Sequence, residues 1–337
     1  MKIGILFDGM SALAPVPDMQ ILESVEQIET ILQDAGHHCV RFPVDGEARW
    51  VERLRRARVD LVFNLCEGID GIAELEAPSI GVLHLLGVPF TGAPANTLAL
   101  CLDKNLVNTI LDRAGIPVPR WTVARPGDEV ESVGFPAIAK PAAEDASLGI
   151  EQKSVVRSMR ALKTRVAAMH QIWDEVLIQR FISGREINVG IVGDRVLPIS
   201  EIDFGAMPRG KWNIVSYSSK WATGSEEDLG TAPRCPADLP DELANEIEQI
   251  ALAAWAAVGG SGYGRVDMRI DESGRPWVLE VNANADISAD AGLARMASVA
   301  GISYPELILM LCDVALAKPG IDRSDRWERT LQLSGVG

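Results

Sequence analysis

The sequence has little cysteine and no pattern in what it has: Cys39, Cys66, Cys101, Cys235 and Cys312 are scattered, odd in number and mostly set in apolar stretches. A disulfide framework or a zinc site needs paired spacing, so reduced packing thiols are the expected state. Long apolar runs are missing as well. None approaches the roughly 18 uncharged residues that a membrane helix requires, and Met1 to Phe7 carries no basic leader. The expectation is a cytoplasmic protein with no membrane partner. Positive charge is short: 32 Lys and Arg stand against 47 Asp and Glu, a formal net charge of −15. Nucleic-acid binding rests on basic patches that neutralise phosphates, so nucleic acid is not an expected partner. A nucleotide remains admissible, because three or four cations converging in one cleft can hold a triphosphate whatever the total charge. There is no GxxxxGK[ST] loop and no GxGxxG after the first apolar run, which disfavours a P-loop kinase and an ordinary dinucleotide oxidoreductase. The four histidines, His37, His38, His84 and His170, have no ligand spacing to one another, and structural or surface roles are expected for them.

What is present is ample core-forming material, 47% hydrophobic residues in a chain of 337, enough for two or three packed subdomains. Lys2 to Asp8 reads as a buried parallel strand. Residues 19–35 place Ile21, Leu22, Val25, Ile28, Ile31 and Leu32 on one helix face, with Gly36 as a stop. Strands are predicted at His38 to Phe42 and Asp60 to Leu65, so the first domain is α/β with a parallel sheet. One helix is predicted from Leu98 to Ala114, ending at Gly115 ahead of Pro117 and Pro119. Beyond it the pattern turns α+β, with strands at Trp121 to Val123, Ala137 to Lys140, Val176 to Arg180 and Ile187 to Val192, and a helix from Ser158 to His170. Gly205 to Pro236 lacks periodicity and reads as a long ordered loop over a site. A helix from Asp241 to Val258, strands at Gly264 to Ile270 and Pro276 to Asn282, and one helix through Leu293 to Ala315 follow. The expected division is 1–97, 98–183, 184–320 and a peripheral polar tail, 321–337.

Arg265-Val-Asp267, a turn at Asp271 to Gly274, and Glu280-Val-Asn282 carry the strongest local signal. On paired strands with a period of two, Arg265 and Asp267 share a face, as do Glu280 and Asn282. Asp, Glu and Asn are hard oxygen donors suited to magnesium, and a guanidinium beside them can stabilise a phosphoryl or an oxyanion. A solvated hairpin with an incidental ion pair has the same spacing. Three lysines join them: Lys104 early on a helix, Lys140 ending the apolar strand Ile138-Ala-Lys140, and Lys220 in the long loop. A lone lysine is ordinarily a surface residue, but one ending an apolar strand, followed by the small residues Ala146, Ser147 and Gly149, suits a phosphate.

The ordered set Lys104, Phe135-Pro-Ala-Ile-Ala-Lys140-Pro, Val176-Leu-Ile-Gln179-Arg-Phe-Ile-Ser-Gly-Arg-Glu186, Lys220, Arg265-Val-Asp267 and Glu280-Val-Asn282 resembles the ATP-grasp superfamily, most closely the D-alanine–D-alanine ligase group. The likeness runs from residue 1 to about 315 and includes Val62 to Gly68 and Val88 to Gly92. It implies an ATP-grasp fold, with a parallel-sheet domain followed by central and C-terminal subdomains clasping ATP. It implies ATP and Mg2+, with Mn2+ as an alternative, and small-molecule carboxylate and amine substrates joined through an acyl phosphate with release of ADP and phosphate. Lys104, Lys140 and Lys220 would contact phosphates, Ser147 would sit in a mobile loop above them, and Gln179, Arg180, Phe181 and Ile182 would form the hinge that meets adenine. Glu186 would hold the ribose, and Asp267, Glu280 and Asn282 the metal. Arg265, with Lys220, would serve catalysis, stabilising the acyl phosphate and the tetrahedral intermediate. The resemblance also admits a homodimer.

Departures from that pattern fall at the amino-acid positions. Gln179 replaces an acid at the hinge, and its amide oxygen can still accept from adenine. The first loop, Asp8 to Pro15, lacks the group's glutamate; Ala146 stands for its serine and Trp221 for its tyrosine, so that hydrogen-bonded set cannot form. Asp286 and Asp290 lie where the second D-alanine's carboxylate would be received, and would repel it unless they only cap the helix beginning near Asp290. Glu67 and Glu74 could orient a loop near substrate. These departures argue against D-Ala plus D-Ala as substrates. The alternatives are a nucleotide-binding scaffold without ligase activity, a D-alanine–D-alanine ligase proper, and an ATP-grasp enzyme with a non-amine acceptor.

Overall fold

The structure, a computed structural model, describes residues 1–9 and 17–318. The chain divides into two compact units, Met1–Ala95 with the segment from Pro305 onward, and Asn96–Tyr304. In the first, β1 (Lys2–Asp8), α1 (Pro17–Asp34), β2 (His38–Val44), α2 (Arg49–Ala57), β3 (Leu61–Leu65) and α3 (Glu76–Leu86) alternate, and the strands pair in parallel in the order β2-β1-β3. Every residue of β3 is buried and so is Ile3 to Phe7 of β1. That near-continuous burial is what a parallel sheet covered by its crossover helices demands, and why these strands read as unbroken apolar runs.

A helix α4 (Ala95–Leu102) crosses the division, and α5 (Lys104–Arg113) follows one residue later. The single helix expected over Leu98 to Ala114 is therefore two. Asp103 breaks it: its backbone is extended (φ −83°, ψ 93°) and its side chain accepts from the Leu106 amide at 2.9 Å. Aspartate competes for helix N–H groups in this way, starting a new helix instead of continuing the old one.

The second unit holds two sheets. β4 (Trp121–Ala124), β5 (Ala137–Pro141), β6 (Val155–Val156) and β7 (Val176–Arg180) form an antiparallel sheet ordered β4-β7-β5-β6. One face of it, through Ala137, Ala139, Val176 and Ile178, packs on Leu162, Val166 and Met169 of α6 (Met159–Met169). Each fully buried aliphatic side chain there contributes roughly 1.5–3 kcal/mol. The opposite face carries Ile138, Lys140, Leu177 and Gln179, which are cross-strand partners in the order Lys140 with Leu177 and Ile138 with Gln179. The second sheet is built from β8 (Arg185–Val192), β9 (Arg195–Val196), β10 (Ser200–Asp203), β11 (Ala232–Arg234), β12 (Tyr263–Ile270) and β13 (Pro276–Asn282), ordered β11-β10-β8-β12-β13 with β9 on β8. α7 (Tyr217–Trp221) and β11 lie inside the stretch expected as a loop, 205–236; both are too short to show a period in sequence. Gly184, at φ 139°, lets the turn into β8 touch the carbonyl of Ile270, an approach a Cβ would block.

α8 (Asp241–Ala257) follows the expected bounds within a residue. The expected helix through Leu293 to Ala315 is broken into α9 (Gly292–Val299) and α10 (Tyr304–Ala317). Gly301 at φ 78° takes a left-handed turn between them, and Pro305 suits the first turn of α10. The stretches 98–183 and 184–320 hold one sheet each, and both sheets lie in the unit Asn96–Tyr304. No single helix among the described residues is long and apolar enough to cross a membrane. The tail 321–337 lies outside the described residues.

Candidate active site

β12 and β13 pair antiparallel with Arg265 opposite Asn282 and Asp267 opposite Glu280, so the four polar groups stand on one face of the hairpin. Arg265 forks onto Asp267, Nε to Oδ1 at 2.6 Å and Nη2 to Oδ2 at 2.8 Å. From β8, opposite Asp267, Asn188 donates its Nδ2 to the same Oδ1 at 2.7 Å. Asn282 Oδ1 accepts from the Asn284 amide at 3.2 Å.

Two of the three lysines arrive at this face. Lys104, the first residue of α5, is 5% exposed and its Nζ donates to the Glu144 carbonyl and to Asp145 Oδ1 at 3.1 Å, with Glu280 Oε2 at 3.9 Å. Its position follows from the Asp103 break, since the Lys104 amide then donates to the Ala142 carbonyl at 3.0 Å, tying α5 to the end of β5. Burial disfavours its charge, but Asp145 and Glu280 outweigh that and hold its pKa above the ordinary value. Lys140 is 6% exposed and its ammonium makes no hydrogen bond among the described residues. Burial pushes it down to about 8, Glu280 resisting and Lys104 adding to the fall. Burial would raise Glu280, yet Lys104, Lys140 and Arg265 together keep its carboxyl below the ordinary value. A buried ammonium without a hydrogen bond suits an anion such as a phosphate, while the ionised carboxylate beside it suits a cation.

Lys220 is different. It is exposed on α7, with its ammonium 5.2 Å from the Trp221 ring centroid, and no contact joins it to Lys104, Lys140 or Glu280. What reaches toward the others is its segment: Ser147 Oγ donates to the Val215 carbonyl at 3.1 Å, and the Tyr217 amide to the Ile150 carbonyl at 2.8 Å. Ala146 (φ 54°) and Ser147 (φ 60°) both sit in the left-handed region, which costs on the order of 1–3 kcal/mol for a residue with a Cβ. Arg165, 8% exposed, braces the loop by donating to the Gly149 carbonyl at 2.7 Å and to Glu151 at 3.0 Å.

At the end of β7, Gln179 is 1% exposed and its buried Nε2 has no hydrogen-bond partner among the described residues. It lies on the Lys140 face of the sheet. Arg180 donates to the Phe135 carbonyl, the Phe181 amide to the Pro136 carbonyl at 3.0 Å, and the Ile182 carbonyl accepts from Arg269 at 2.9 Å. Glu186, opposite Arg269 across β8 and β12, is pushed up by burial and pulled back by that guanidinium.

A family model described as D-ala D-ala ligase C-terminus matches residues 110–313. The D-alanine–D-alanine ligase of Bordetella petrii is 31% identical over 94% of this chain and 93% of its own length, and that of Gluconobacter oxydans 32% over 94% and 100%. The chain belongs to the D-alanine–D-alanine ligase family. Another relative, the uncharacterized protein y4sG of Sinorhizobium fredii, is 31% identical over 89% of both chains. Two crystal structures of the D-alanine–D-alanine ligase from Bacillus anthracis, one complexed with ATP, have TM-scores of 0.76 at 24% and 25% identity, covering 94% of this chain and 97% of theirs.

Within this D-alanine–D-alanine ligase family member, the departing positions have definite surroundings. Trp221 donates its Nε1 to the Ala146 carbonyl at 3.0 Å, so residues 146 and 221 remain joined although neither carries a hydroxyl. Asp286 and Asp290 are exposed and do not cap α9: its N-cap is Ala291, without a side-chain cap bond, and Asp286 Oδ1 instead accepts from Ser288 N at 2.9 Å and Oγ at 2.6 Å. Asp286 lies near enough to Arg265 to raise its pKa. Glu67 is an exposed residue after β3 and Glu74 lies in the short helical turn Ala73–Leu75, both in the first unit. The first loop, from Met10 through Val16, lies outside the described residues.

Sequence reasoning missed three groups. Arg269 shares the alternation Arg265-Asp267-Arg269, a signal that was available. Asn188 required knowing that β8 pairs with β12. Tyr304, whose buried hydroxyl has no partner among the described residues and is pushed up to about 12 by burial and by Asp286 and Asp290, has no sequence signal.

For magnesium, the described residues hold no group of three or more His, Cys, Asp or Glu arranged as a metal cage. Two carboxylates and an amide, with Asp267 already engaged by Arg265 and Asn188, fit a hard cation that brings phosphate oxygens and waters as its remaining ligands.

Proposed function

We propose that this chain is an ATP-dependent ligase of the D-alanine–D-alanine ligase type, which transfers the γ-phosphoryl of ATP to a carboxylate and joins the resulting acyl phosphate to an amine. ATP with Mg2+ is the cofactor pair. The observation that carries the reading is the meeting of Lys104 and Lys140, both buried, with Glu280 on the hairpin that also bears Arg265, Asp267 and Asn282. Lys104 and Lys140 would hold phosphate oxygens in a site dry enough to make each charge count. Glu280, Asn282 and Asp267 would hold the metal, which when bound neutralises phosphate oxygens. Arg265, kept charged beside Asp267 and Glu280, would stabilise negative charge building on the acyl group. The exposed Lys220 would reach the phosphates on closure of its segment with the 146–150 loop, which would keep water from the acyl phosphate.

The substrates best supported are two D-alanines, because relatives 31% and 32% identical along nearly their whole length carry that name. The expectation of a different pair gains nothing from them. It keeps one specific support: Asp286 and Asp290 are exposed and do not cap α9, with Asp286 close to Arg265. On that second reading the nucleophile is an amine without a neighbouring carboxylate or with added positive charge. Phosphate release with ATP and Mg2+ over D- and L-amino acids, their amides and diamines, with mass detection of the product, separates the readings. D-Ala-D-Ala as the dominant product supports the first, preference for amides or diamines the second, and no amine-dependent release would leave a nucleotide-binding scaffold.

A further inference from the structure

Arg269, four residues beyond Arg265 on β12, is 3% exposed and spends its donors at one point. Nε and Nη2 both donate to Glu186 Oε2, at 3.2 and 2.7 Å, Nη1 donates to the Ile182 carbonyl at 2.9 Å, and Nη2 also donates to the Asn213 carbonyl. Its guanidinium carbon lies 4.8 Å from the Phe181 ring centroid and 5.8 Å from that of Phe204. Phe181 in turn meets Trp212 edge-on at 5.3 Å. One planar group thereby gathers the turn after β7, the acid at the start of β8, and the 212–214 segment that leads to α7. Glu186 Oε1 makes no hydrogen bond among the described residues.

A buried ion pair is a poor device for stability alone, since an apolar pair of equal volume often serves as well or better. Nor would a lysine replace it: only a fork with several fixed donors reaches a carboxylate and two carbonyls at once, with its faces free to lie against rings. The distribution of bonds is specific, too. Both contacts to Glu186 fall on the same oxygen, and the other is left able to accept from hydroxyls.

We propose that Arg269 is a positioning residue for the nucleotide: it holds Glu186 by one oxygen so that the other accepts from the ribose hydroxyls, and fixes the Ile182 hinge carbonyl and the Asn213 segment to the same point. The inference rests on the reading of Glu186 as the ribose-binding acid. Arg269 itself touches no nucleotide; it acts through Glu186 and the hinge.

Calorimetry of magnesium-bound ATP and 2′-deoxyATP with the full chain and its E186Q, R269K, R269M and R269M/E186Q variants tests it. E186Q is expected to weaken ATP binding and narrow its advantage over 2′-deoxyATP. R269M is expected to weaken ATP by about tenfold or more and narrow the same advantage, R269K to recover part of the ATP affinity, and the double variant to bind no worse than about threefold below the weaker single one, as coupled partners do. If E186Q behaves as the parent, the ribose reading itself falls. If E186Q weakens ATP while R269K and R269M keep parental affinity and discrimination, or if their penalties add fully to that of E186Q, the ribose reading stands and the role of Arg269 is overturned. Should R269M fail to fold, R269K alone carries the test: parental affinity and discrimination in it would overturn the proposal.

Discussion

The indole Nε1 of Trp221 donates to the backbone carbonyl of Ala146 at 3.0 Å, closing the segment that bears Lys220 onto the loop that bears Ser147. The acceptor is main chain, so the bond does not depend on which side chain stands at 146. Trp221→Phe, which keeps the ring and removes the N–H, is expected to weaken ATP binding by about two- to tenfold, the worth of one neutral hydrogen bond. Ala146→Ser should leave it unchanged. Titration calorimetry on the two variants checks this, and equal behaviour of both would remove the latch.

If Lys140 holds a phosphate, nucleotide affinity should depend on pH. The Lys140 ammonium is lowered from 10.5 to about 8 by burial, so a phosphate that pairs with it draws a proton onto it. Affinity for ATP is expected to fall as pH rises through about 8, with proton uptake on binding above that value. The stability sign is the reverse: between about 8 and 10.5 the unfolded chain binds the extra proton, so this residue's contribution to stability grows with pH across that window. Calorimetry in buffers of differing ionisation enthalpy measures the uptake; the same uptake in Lys140→Met would assign it elsewhere.

The metal should follow the nucleotide. With two carboxylates, one of them engaged by Arg265, and an amide, the hairpin is a weak site for a bare dication. Magnesium alone at millimolar concentration is expected to give no binding heat, and magnesium with ATP a clear one. Chelation should stop phosphate release, and added Mg2+ or Mn2+ restore it. Tight binding of free Mg2+ would contradict the arrangement described.

Asp286 and Asp290 separate the two substrate readings. If two D-alanines are joined, Asp290→Asn and Asp286→Asn are expected to leave the KM for D-alanine unchanged or lower it by removing repulsion. If the amine is cationic, either change should raise its KM by about tenfold, roughly 1.4 kcal/mol. Steady-state kinetics with both amine classes decides the matter.

Asp103→Ala should cost about 1 kcal/mol of stability through loss of the N-cap of α5. Because Lys104 is the first residue of that helix, ATP affinity should fall too. Urea unfolding and nucleotide titration on the same variant report both effects.

Much of the fold was legible because its period is local. The alternation in Arg265-Val-Asp267 and Glu280-Val-Asn282 placed each pair on one face of its strand, and the strands Val176–Arg180 and Pro276–Asn282 have the expected bounds. Helix ends set by single residues were not legible: apolar spacing runs straight through Asp103 and Gly301, where one side chain and one left-handed turn redirect the chain. Nor was the exposure of the three lysines legible, since Lys220 stands with Lys140 in the family pattern while one is buried and the other exposed.

The sequence by itself determined which residues could do the chemistry, because residue type and strand period are properties of neighbours along the chain: the lysine ending an apolar strand, the hard oxygen donors two apart, and the order that marks the family. Only the tertiary structure decided where they stand and what surrounds them. Burial and charge, which depend on residues distant in sequence, bring Lys104 and Lys140 to Glu280, hold Asp267 against Arg265 and Asn188, and set Arg269 on one oxygen of Glu186. Electrostatic strength depends on distance and on the exclusion of water, and neither quantity is defined until the strands are paired.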